Sequence, residues 1–267
     1  MKKTVFVLGH KGMLGHVVTR YLREQNHEVL TTDKRFEPAH DCQLLREVKQ
    51  SNADVIINCI GKIRQKTIDP DALFMTNAVL PIQLVQSLNQ NQKMIQVSSD
   101  CVFSGKSKNP YTIDCKPDPI DPYGASKAAG EIVALDSRVI MLRTSIIGPE
   151  IQTSFGLFAW FIKNDAKKIQ GYVDHMWNGV TTLQLAKVID DFVMSRRQND
   201  IITHIASQEA VSKYELLKMI NEVNCLEKTI TPIETKDKVN HELVAKCYEP
   251  SIKQQLEDLK DWYHKHE

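Results

Sequence analysis

The sequence predicts an α/β fold whose core is a doubly wound parallel sheet. Three observations predict it. Short apolar strand patterns alternate with helical patterns through about residue 145. The first strand pattern, Thr4–Leu8, breaks directly on a glycine-rich turn that opens a helix. At 267 residues the chain can hold one large core of this class plus a small second lobe.

The elements follow in order. Strands are expected at Thr4–Leu8, Glu28–Thr31, Asp54–Asn58, Met94–Ser98 and Val139–Leu142. Between them helices are expected near Gly12–Glu24, Leu44–Gln50, Ile82–Asn89 and Tyr123–Leu135. The first of these shows the helical spacing in Met13, Leu14, Val17, Val18, Tyr21 and Leu22. Pro70 and Pro81 punctuate the stretch between the third and fourth strands, because proline suits a helix's first turn and not its interior. After Gly148 the character changes. Phe155–Ile162 is apolar and aromatic, with Phe155, Phe158 and Phe161 expected in the core. Thr181–Met194 reads as an amphipathic helix and Ile201–Ile205 as a strand. Ser212-Lys213-Tyr214-Glu215 has capping-box spacing and opens a helix over Tyr214–Val223, and Ser251–His264 forms a last helix. The domain expectation is a dinucleotide-binding core over residues 1–150, rejoined by part of 178–206, with 151–267 mainly a small C-terminal substrate-binding lobe.

The turn itself reads Gly9-His10-Lys11-Gly12-Met13-Leu14-Gly15. Gly9 can make the tight turn, Gly12 lets backbone approach a pyrophosphate, and Gly15 lets the helix pack closely on the strand. Exposed N–H groups at the helix start then face the anion. A ligand-free βα turn is the competing reading. The strand before, the helix after and the N-terminal position favour the dinucleotide.

Composition excludes other classes. Lys plus Arg is 34 against 33 for Asp plus Glu, which gives no bulk attraction to nucleic acid or to a membrane surface. The first apolar run is too short for a signal peptide, and no stretch reaches the length of a membrane span. Six cysteines (Cys42, Cys59, Cys101, Cys115, Cys225, Cys247) lack metal-ligand spacing, so no metal site is expected. They read as free thiols of a cytoplasmic protein. His10, His16 and the tail histidines read as surface residues.

Tyr123-Gly124-Ala125-Ser126-Lys127 places a phenol and an ammonium four residues apart on one helix face. A cation that close is expected to bring the tyrosine pKa toward working pH. Tyr214 and Lys218 share the spacing, so context must decide. Ile95-Gln96-Val97-Ser98-Ser99-Asp100 ends a strand in hydroxyls at the sheet's carboxyl edge, which favours Tyr123. There Ser99 could donate to a substrate carbonyl while Tyr123 protonates the developing alkoxide.

Together these motifs resemble the extended short-chain dehydrogenase/reductase superfamily, with its Rossmann-type fold. Val97-Ser98-Ser99-Asp100-Cys101-Val102-Phe103-Ser104-Gly105 is similar to the S-T-D-Y-V-F-D-G signature of dTDP-4-dehydrorhamnose reductases. Asn58-Cys59-Ile60-Gly61 resembles their N-x-A loop and Asn77-Ala78 their N-A element. Pro122–Lys127 and Leu142-Arg143-Thr144-Ser145 are similar again. Trp177–Thr182 sits where that family has G-x-P-T, but carries no proline. Related 4,6-dehydratases carry Asp-Glu where this chain has Asp100-Cys101, and a thiol is a poor acid for eliminating water.

The resemblance implies a catalytic triad of Ser99, Tyr123 and Lys127. It implies a cofactor site of Gly9, Lys11, Gly12, Met13, Leu14, Gly15, Asp33, Lys34, Arg35, Asp41, Cys42, Cys59, Ile60, Gly61, Ser98 and Thr144, together with Tyr123 and Lys127. Substrate is expected at Lys62, Asp100, Val102, Trp160, His175, Trp177 and Asn178. Asp33 follows the second strand at the distance where a carboxylate binds the adenosine ribose of NAD. Lys11, Lys34 and Arg35 could instead embrace a 2′-phosphate, and the balance leans to NADPH with NADH accepted. The expected activity is NAD(P)H-dependent reduction of a dTDP- or UDP-linked 4-keto-6-deoxyhexose for polysaccharide synthesis. The alternatives are a nucleotide-sugar 4-epimerase and a non-catalytic dinucleotide-binding regulatory subunit. A nucleotide sugar is the expected partner, and a homodimer is a compatible assembly.

Overall fold

The protein is described here from a computed structural model over residues 2–38, 42–67, 69–198 and 200–265. The first half runs β1 (Thr4–Leu8), α1 (Gly15–Glu24), β2 (Glu28–Thr31), α2 (Gln43–Gln50), β3 (Val55–Asn58), α3 (Pro70–Phe74), α4 (Leu80–Ser87), β4 (Lys93–Val97), α5 (Pro122–Gly130) and β5 (Val139–Arg143). The second half runs β6 (Ile146–Ile147), α6 (Leu157–Lys163), β7 (Lys168–Tyr172), β8 (His175–Trp177), β9 (Val180–Thr181), α7 (Thr182–Val193), β10 (Ile202–His204), β11 (Val211–Ser212), α8 (Lys213–Val223), β12 (Thr229–Ile233), β13 (Val239–Asn240) and α9 (Ile252–His264).

Six parallel strands form the main sheet in the order β2-β1-β3-β4-β5-β10. Successive side chains on a strand point to opposite faces, so each strand feeds two cores. Val5 and Val7 face a layer of α1, α7 and α9 through Val17, Val18, Val188, Ile189 and Leu259. Phe6 and Leu8 face α2 and α4 through Leu44, Val48, Leu80 and Leu84. This explains why β1 is apolar throughout and not alternating. The chain leaves β1 for β2 on one side and returns to β3 on the other. The reversal opens a crevice between the carboxyl ends of β1 and β3, where doubly wound sheets bind ligands.

Beyond β5 the chain builds a smaller layer over that edge. It holds the three-stranded sheet β11-β8-β13, the parallel pair β12-β7, and a core of Ile147, Phe161, Ile169, Trp177, Leu216, Ile220 and Leu256. Two short segments, β6 and β9, tie this layer to the main sheet. Among the described residues no helix is long and apolar enough to cross a membrane.

Differences from the sequence reading have local causes. α1 begins at Gly15 and not Gly12, because the glycine turn occupies the residues before it. The stretch before α4 is helical too: Asp69 caps α3 by accepting from Asp71 N–H at 3.0 Å, with Pro70 at the first position. A π-helical turn, Met75–Val79, joins α3 to α4. The expected helix over Tyr123–Leu135 changes to 3₁₀ geometry at Glu131. Phe161 is buried as expected, but Phe155 is 47 % exposed.

At the carboxyl ends of β5 and β10 lies a buried polar chain. Arg143 grips Glu131 through Nε–Oε1 at 2.9 Å and Nη2–Oε2 at 2.6 Å. Its Nη1 donates to His204 Nε2 at 3.0 Å, and His204 Nδ1–H donates to the Val244 carbonyl at 3.0 Å. Both imidazole nitrogens are thus satisfied only in the neutral ring. Burial, and then the Arg143 charge, lower the His204 pKa from 6.5 to about 4. A folded-state pKa below the unfolded one means the unfolded chain takes up the proton first as pH falls. Stability is therefore expected to drop by about 3 kcal/mol between pH 6.5 and 4 from this group alone. Urea unfolding across that range should show a steeper loss for the wild type than for His204→Gln.

Candidate active site

The glycine turn has the geometry that a phosphate cradle needs. Gly9 has φ +76°, a conformation that L side chains rarely adopt, and a Cβ there would press on Cys59 and Ile60 at about 3.1 Å. A Cβ on Gly15 would overlap the Gly9 carbonyl, so only glycine lets α1 start this close to β1. Gly12 differs. Its N–H donates to the Gly9 carbonyl at 2.9 Å, and an added Cβ would meet only that oxygen, at 3.2 Å. Gly12 is dispensable for packing and keeps the turn's outer side open, which is the fit a dinucleotide pyrophosphate requires.

Beyond β2, Asp33 receives Lys11 Nζ at 2.5 Å and lies 3.6 Å from His10 Nε2. The Lys11 hydrogen bond lowers its pKa. Lys34 and Arg35 are exposed just beyond. The carboxylate and the cations that the sequence set against each other thus share one corner. Cys42 is only 3 % exposed and packs into the second core, with its thiol toward the Arg35 carbonyl, so its side chain serves packing. Asp41 lies outside the described residues.

Across the crevice, β4 ends in Ser98 and Ser99. Ser99 caps a 3₁₀ turn over Asp100–Val102: its hydroxyl accepts from Cys101 N–H at 3.1 Å and donates to Asp100 Oδ1 at 3.0 Å. α5 delivers Tyr123 and Lys127 to the same place. Asp121 caps it by accepting from Gly124 N–H at 2.8 Å, and Pro122 holds its first position. Gly124 permits the approach, since a Cβ there would overlap the Cys101 carbonyl. Lys127 Nζ donates to the Val97 carbonyl at 2.8 Å and would lie 3.9 Å from a Cβ on Gly61.

The electrostatics correct one expectation. Surrounding protein raises the Tyr123 pKa, reinforced by Cys101, while the Ser99 hydroxyl pulls it the other way by less. Lys127 is not among the groups that shift it. Desolvation instead lowers Lys127 itself to about 8, against the opposing pull of Glu131. Tyr123 is therefore a protonated phenol at neutral pH. Cys101 and Cys59 are held as thiols, Cys59 at about 12, by desolvation.

Asn77 is a functional neighbour that the sequence signalled only through the N-A resemblance. The π turn points its amide across the crevice. It accepts from Lys62 N–H at 3.0 Å and donates to the Lys62 carbonyl at 2.9 Å and to Ser126 Oγ at 3.0 Å. The Cys59–Lys62 loop and α5 are thereby held in register. Lys213, missed altogether, opens α8 with its Nζ 5.3 Å from the centre of the Trp177 ring. Desolvation lowers its pKa, and Asp100 and Cys101 pull it back up, so its charge is felt at the end of β4. No sequence signal beyond the capping box marked that helix start.

Several predicted contacts are buried or already hydrogen-bonded within the chain. Ser98 donates to Glu131 Oε1 at 2.6 Å and joins the buried chain at β5 and β10. Thr144 is 2 % exposed, and its carbonyl accepts from Asp100 N–H. Val102 is fully buried beside Phe103 and Tyr111. Trp177 is 2 % exposed within the lobe's core and offers no stacking face to solvent. Both amide atoms of Asn178 are spent on the Leu243 backbone, at 2.9 Å each. His175 Nε2 meets Thr235 Oγ1 at 3.1 Å. Trp160, on α6, is 39 % exposed and stays available. Tyr214, by contrast with Tyr123, packs against Gly171 beneath the Lys218 ammonium.

A family profile described as "RmlD substrate binding domain" matches residues 2–243. The chain belongs to this family. Among named members and relatives, it is 26 % identical over 249 residues to a probable low-salt glycan biosynthesis reductase, Agl14, of Haloferax volcanii (82 % of this chain, 79 % of that one). It is 25 % identical over 244 residues to the spore coat polysaccharide biosynthesis protein SpsK of Bacillus subtilis (87 % and 83 %). A methionine adenosyltransferase 2 subunit beta of Xenopus tropicalis is 25 % identical over 234 residues (80 % and 70 %). In fold, this RmlD-family chain superposes on a Bacillus anthracis dTDP-4-dehydrorhamnose reductase solved in complex with NADP, with TM-score 0.84, 21 % identity and coverage of 98 % and 100 %.

Proposed function

We propose that this chain is an NAD(P)H-dependent reductase of a nucleotide-linked 4-keto-6-deoxyhexose, supplying a deoxysugar for polysaccharide assembly. The observation that carries it is the meeting of Ser99, Tyr123 and Lys127 at the sheet edge, across the topological switch from an open glycine turn. The reductase and polysaccharide names of its relatives support the same reading.

In this reading residues 1–150, rejoined by α7 and β10, hold the cofactor, and 151–267 mainly form the substrate lobe. The cofactor rests on Gly9, Gly12 and Gly15, with Met13 and Leu14 at the start of the helix and Ile60 and Gly61 facing it across the crevice. When bound, the nicotinamide supplies the hydride that turns the sugar's keto carbon into an alcohol carbon. Tyr123, a protonated phenol at neutral pH, gives the proton to the oxygen. Ser99 turns its hydroxyl from Asp100 to the carbonyl oxygen and steadies the developing charge. Lys127, held by the Val97 carbonyl, anchors the cofactor ribose. Lys62, Asp100, Trp160 and Lys213 face the sugar nucleotide.

The non-catalytic-subunit reading is favoured by three relatives named as the beta subunit of methionine adenosyltransferase 2. Against it stand the retained tyrosine and lysine and their shared geometry. The discriminating assay follows nicotinamide absorbance with a dTDP- or UDP-linked 4-keto-6-deoxyhexose, generated in place by a dehydratase. Oxidation is expected; a protein that binds dinucleotide yet oxidises none with any such sugar is the regulatory outcome.

Cofactor choice is decided at the Lys11–Asp33 corner. A 2′-phosphate would take Lys11 from Asp33 and draw in Lys34 and Arg35. Neutralising the three cations should raise the NADPH KM at least about tenfold relative to the NADH KM, since one charge-assisted contact contributes roughly 1.5–3 kcal/mol. Equal effects on both cofactors would instead assign the corner to Asp33 and NAD.

A further inference from the structure

His16 is the second residue of α1 and was expected at the surface, but it is partly buried and bonded at both ring nitrogens. Its Nδ1 is 2.8 Å from the Gly12 carbonyl, and its Nε2 is 2.5 Å from the Tyr263 hydroxyl. A carbonyl oxygen can only accept, so Nδ1 carries the proton and Nε2 accepts from the phenol. Desolvation lowers the His16 pKa, which keeps the ring neutral and this tautomer in place. The Gly12 carbonyl also accepts from His16 N–H at 3.1 Å. One residue therefore holds that oxygen with two donors, and the last helix holds that residue.

The orientation of this carbonyl matters because a peptide unit is planar and trans. Drawing the Gly12 oxygen back along α1 points the N–H of the same unit, that of Met13, the opposite way, out of the helix start. That is the direction from which an anion is bound at a helix N-terminus. We propose that Tyr263 and His16 are positioning residues for the dinucleotide: a strap from α9 fixes the Gly12–Met13 peptide in its phosphate-binding orientation. The proposal rests on the cofactor reading of the glycine turn.

α9 is docked on α1 by other contacts as well, which supplies an internal control. Trp262 Nε1 donates to Glu24 Oε2 at 2.8 Å, and the Arg20 guanidinium lies 5.3 Å from the Trp262 ring centre. These contacts hold the same two helices together without touching Gly12. Tyr263→Phe removes a single hydroxyl and keeps the ring. Trp262→Phe removes the indole N–H donor and part of the packing.

The test is NADPH titration of the full-length wild type, Tyr263→Phe and Trp262→Phe, with thermal midpoints recorded without cofactor. Nitrogen-15 NMR of the His16 ring is read alongside. Tyr263→Phe is expected to raise the NADPH Kd about fivefold, the effect of one neutral hydrogen bond, while kcat at saturating cofactor stays within twofold. Trp262→Phe is expected to lower the thermal midpoint and leave the Kd within twofold. The wild-type ring should show the Nδ1–H tautomer. An unchanged Kd in Tyr263→Phe overturns the strap, as does an equal rise in both variants, or an Nε2–H tautomer in the wild type. A wild type that binds neither NADPH nor NADH overturns the cofactor reading itself, an outcome distinct from these.

Discussion

Tyr123→Phe should lower kcat by about 10²–10⁴-fold while leaving cofactor affinity intact, because it deletes the proton donor and keeps the ring. The size follows from the site. The phenol lies beside the Ser99 hydroxyl, and burial raises its pKa, so it holds its proton at neutral pH. Ser99→Ala should cost about 10²-fold, since a single donor to the developing oxyanion is lost. Lys127→Ala should damage both rate and cofactor affinity. Tyr214→Phe has the same sequence spacing to a lysine and should leave turnover nearly unchanged, because its ring packs on Gly171 away from the crevice. Steady-state kinetics on the four variants checks all of this. Wild-type turnover in Tyr123→Phe, or its loss in Tyr214→Phe, would place the chemistry elsewhere.

Gly12→Val should abolish dinucleotide binding at millimolar concentration and leave a folded protein. The added Cβ meets only the Gly9 carbonyl, at 3.2 Å, so the turn needs to give by a few tenths of an ångström. The rest of the valine side chain projects into the space where the phosphates would lie. Gly15→Val is the contrast. There the Cβ overlaps the Gly9 carbonyl and approaches His10 Cα at 3.0 Å, so α1 cannot stay seated and stability itself should fall. Fluorescence titration with NADPH and NADH, paired with thermal unfolding, separates the two effects. Normal binding by Gly12→Val would remove the phosphate role from this turn.

Much of this was legible in the residues, for reasons that differ by region. The inner strands of the main sheet, β1, β3, β4 and β5, are buried on both faces, so they appear as largely apolar runs. Glycine and serine punctuate their ends, and β1 and β2 fall where the pattern puts them. Ser99, Tyr123 and Lys127 could be found because fixed chemistry imposes fixed residue types on strand and helix ends. The lobe was harder. Trp177 and Asn178 look like ligand-binding residues by type, yet burial and the Leu243 backbone claim them. Those partners lie far along the chain and leave no local spacing to read. The same holds for His16, whose partner Tyr263 is 247 residues away. The expected lowering of the Tyr123 pKa failed because spacing reports neighbours but not desolvation, which acts on the phenol and the ammonium separately.

The central claim is that the chain reduces a nucleotide-linked keto sugar, and isotope transfer tests it most directly. The protein is supplied with NADPH deuterated at the nicotinamide C4 and a dTDP-linked 4-keto-6-deoxyhexose, and the sugar product is analysed by NMR. The account predicts deuterium at sugar C4, one equivalent of cofactor oxidised per sugar, and loss of both in Tyr123→Phe. Sugar epimers that interconvert with no net oxidation, or cofactor that stays reduced beside unchanged keto sugar, would contradict it.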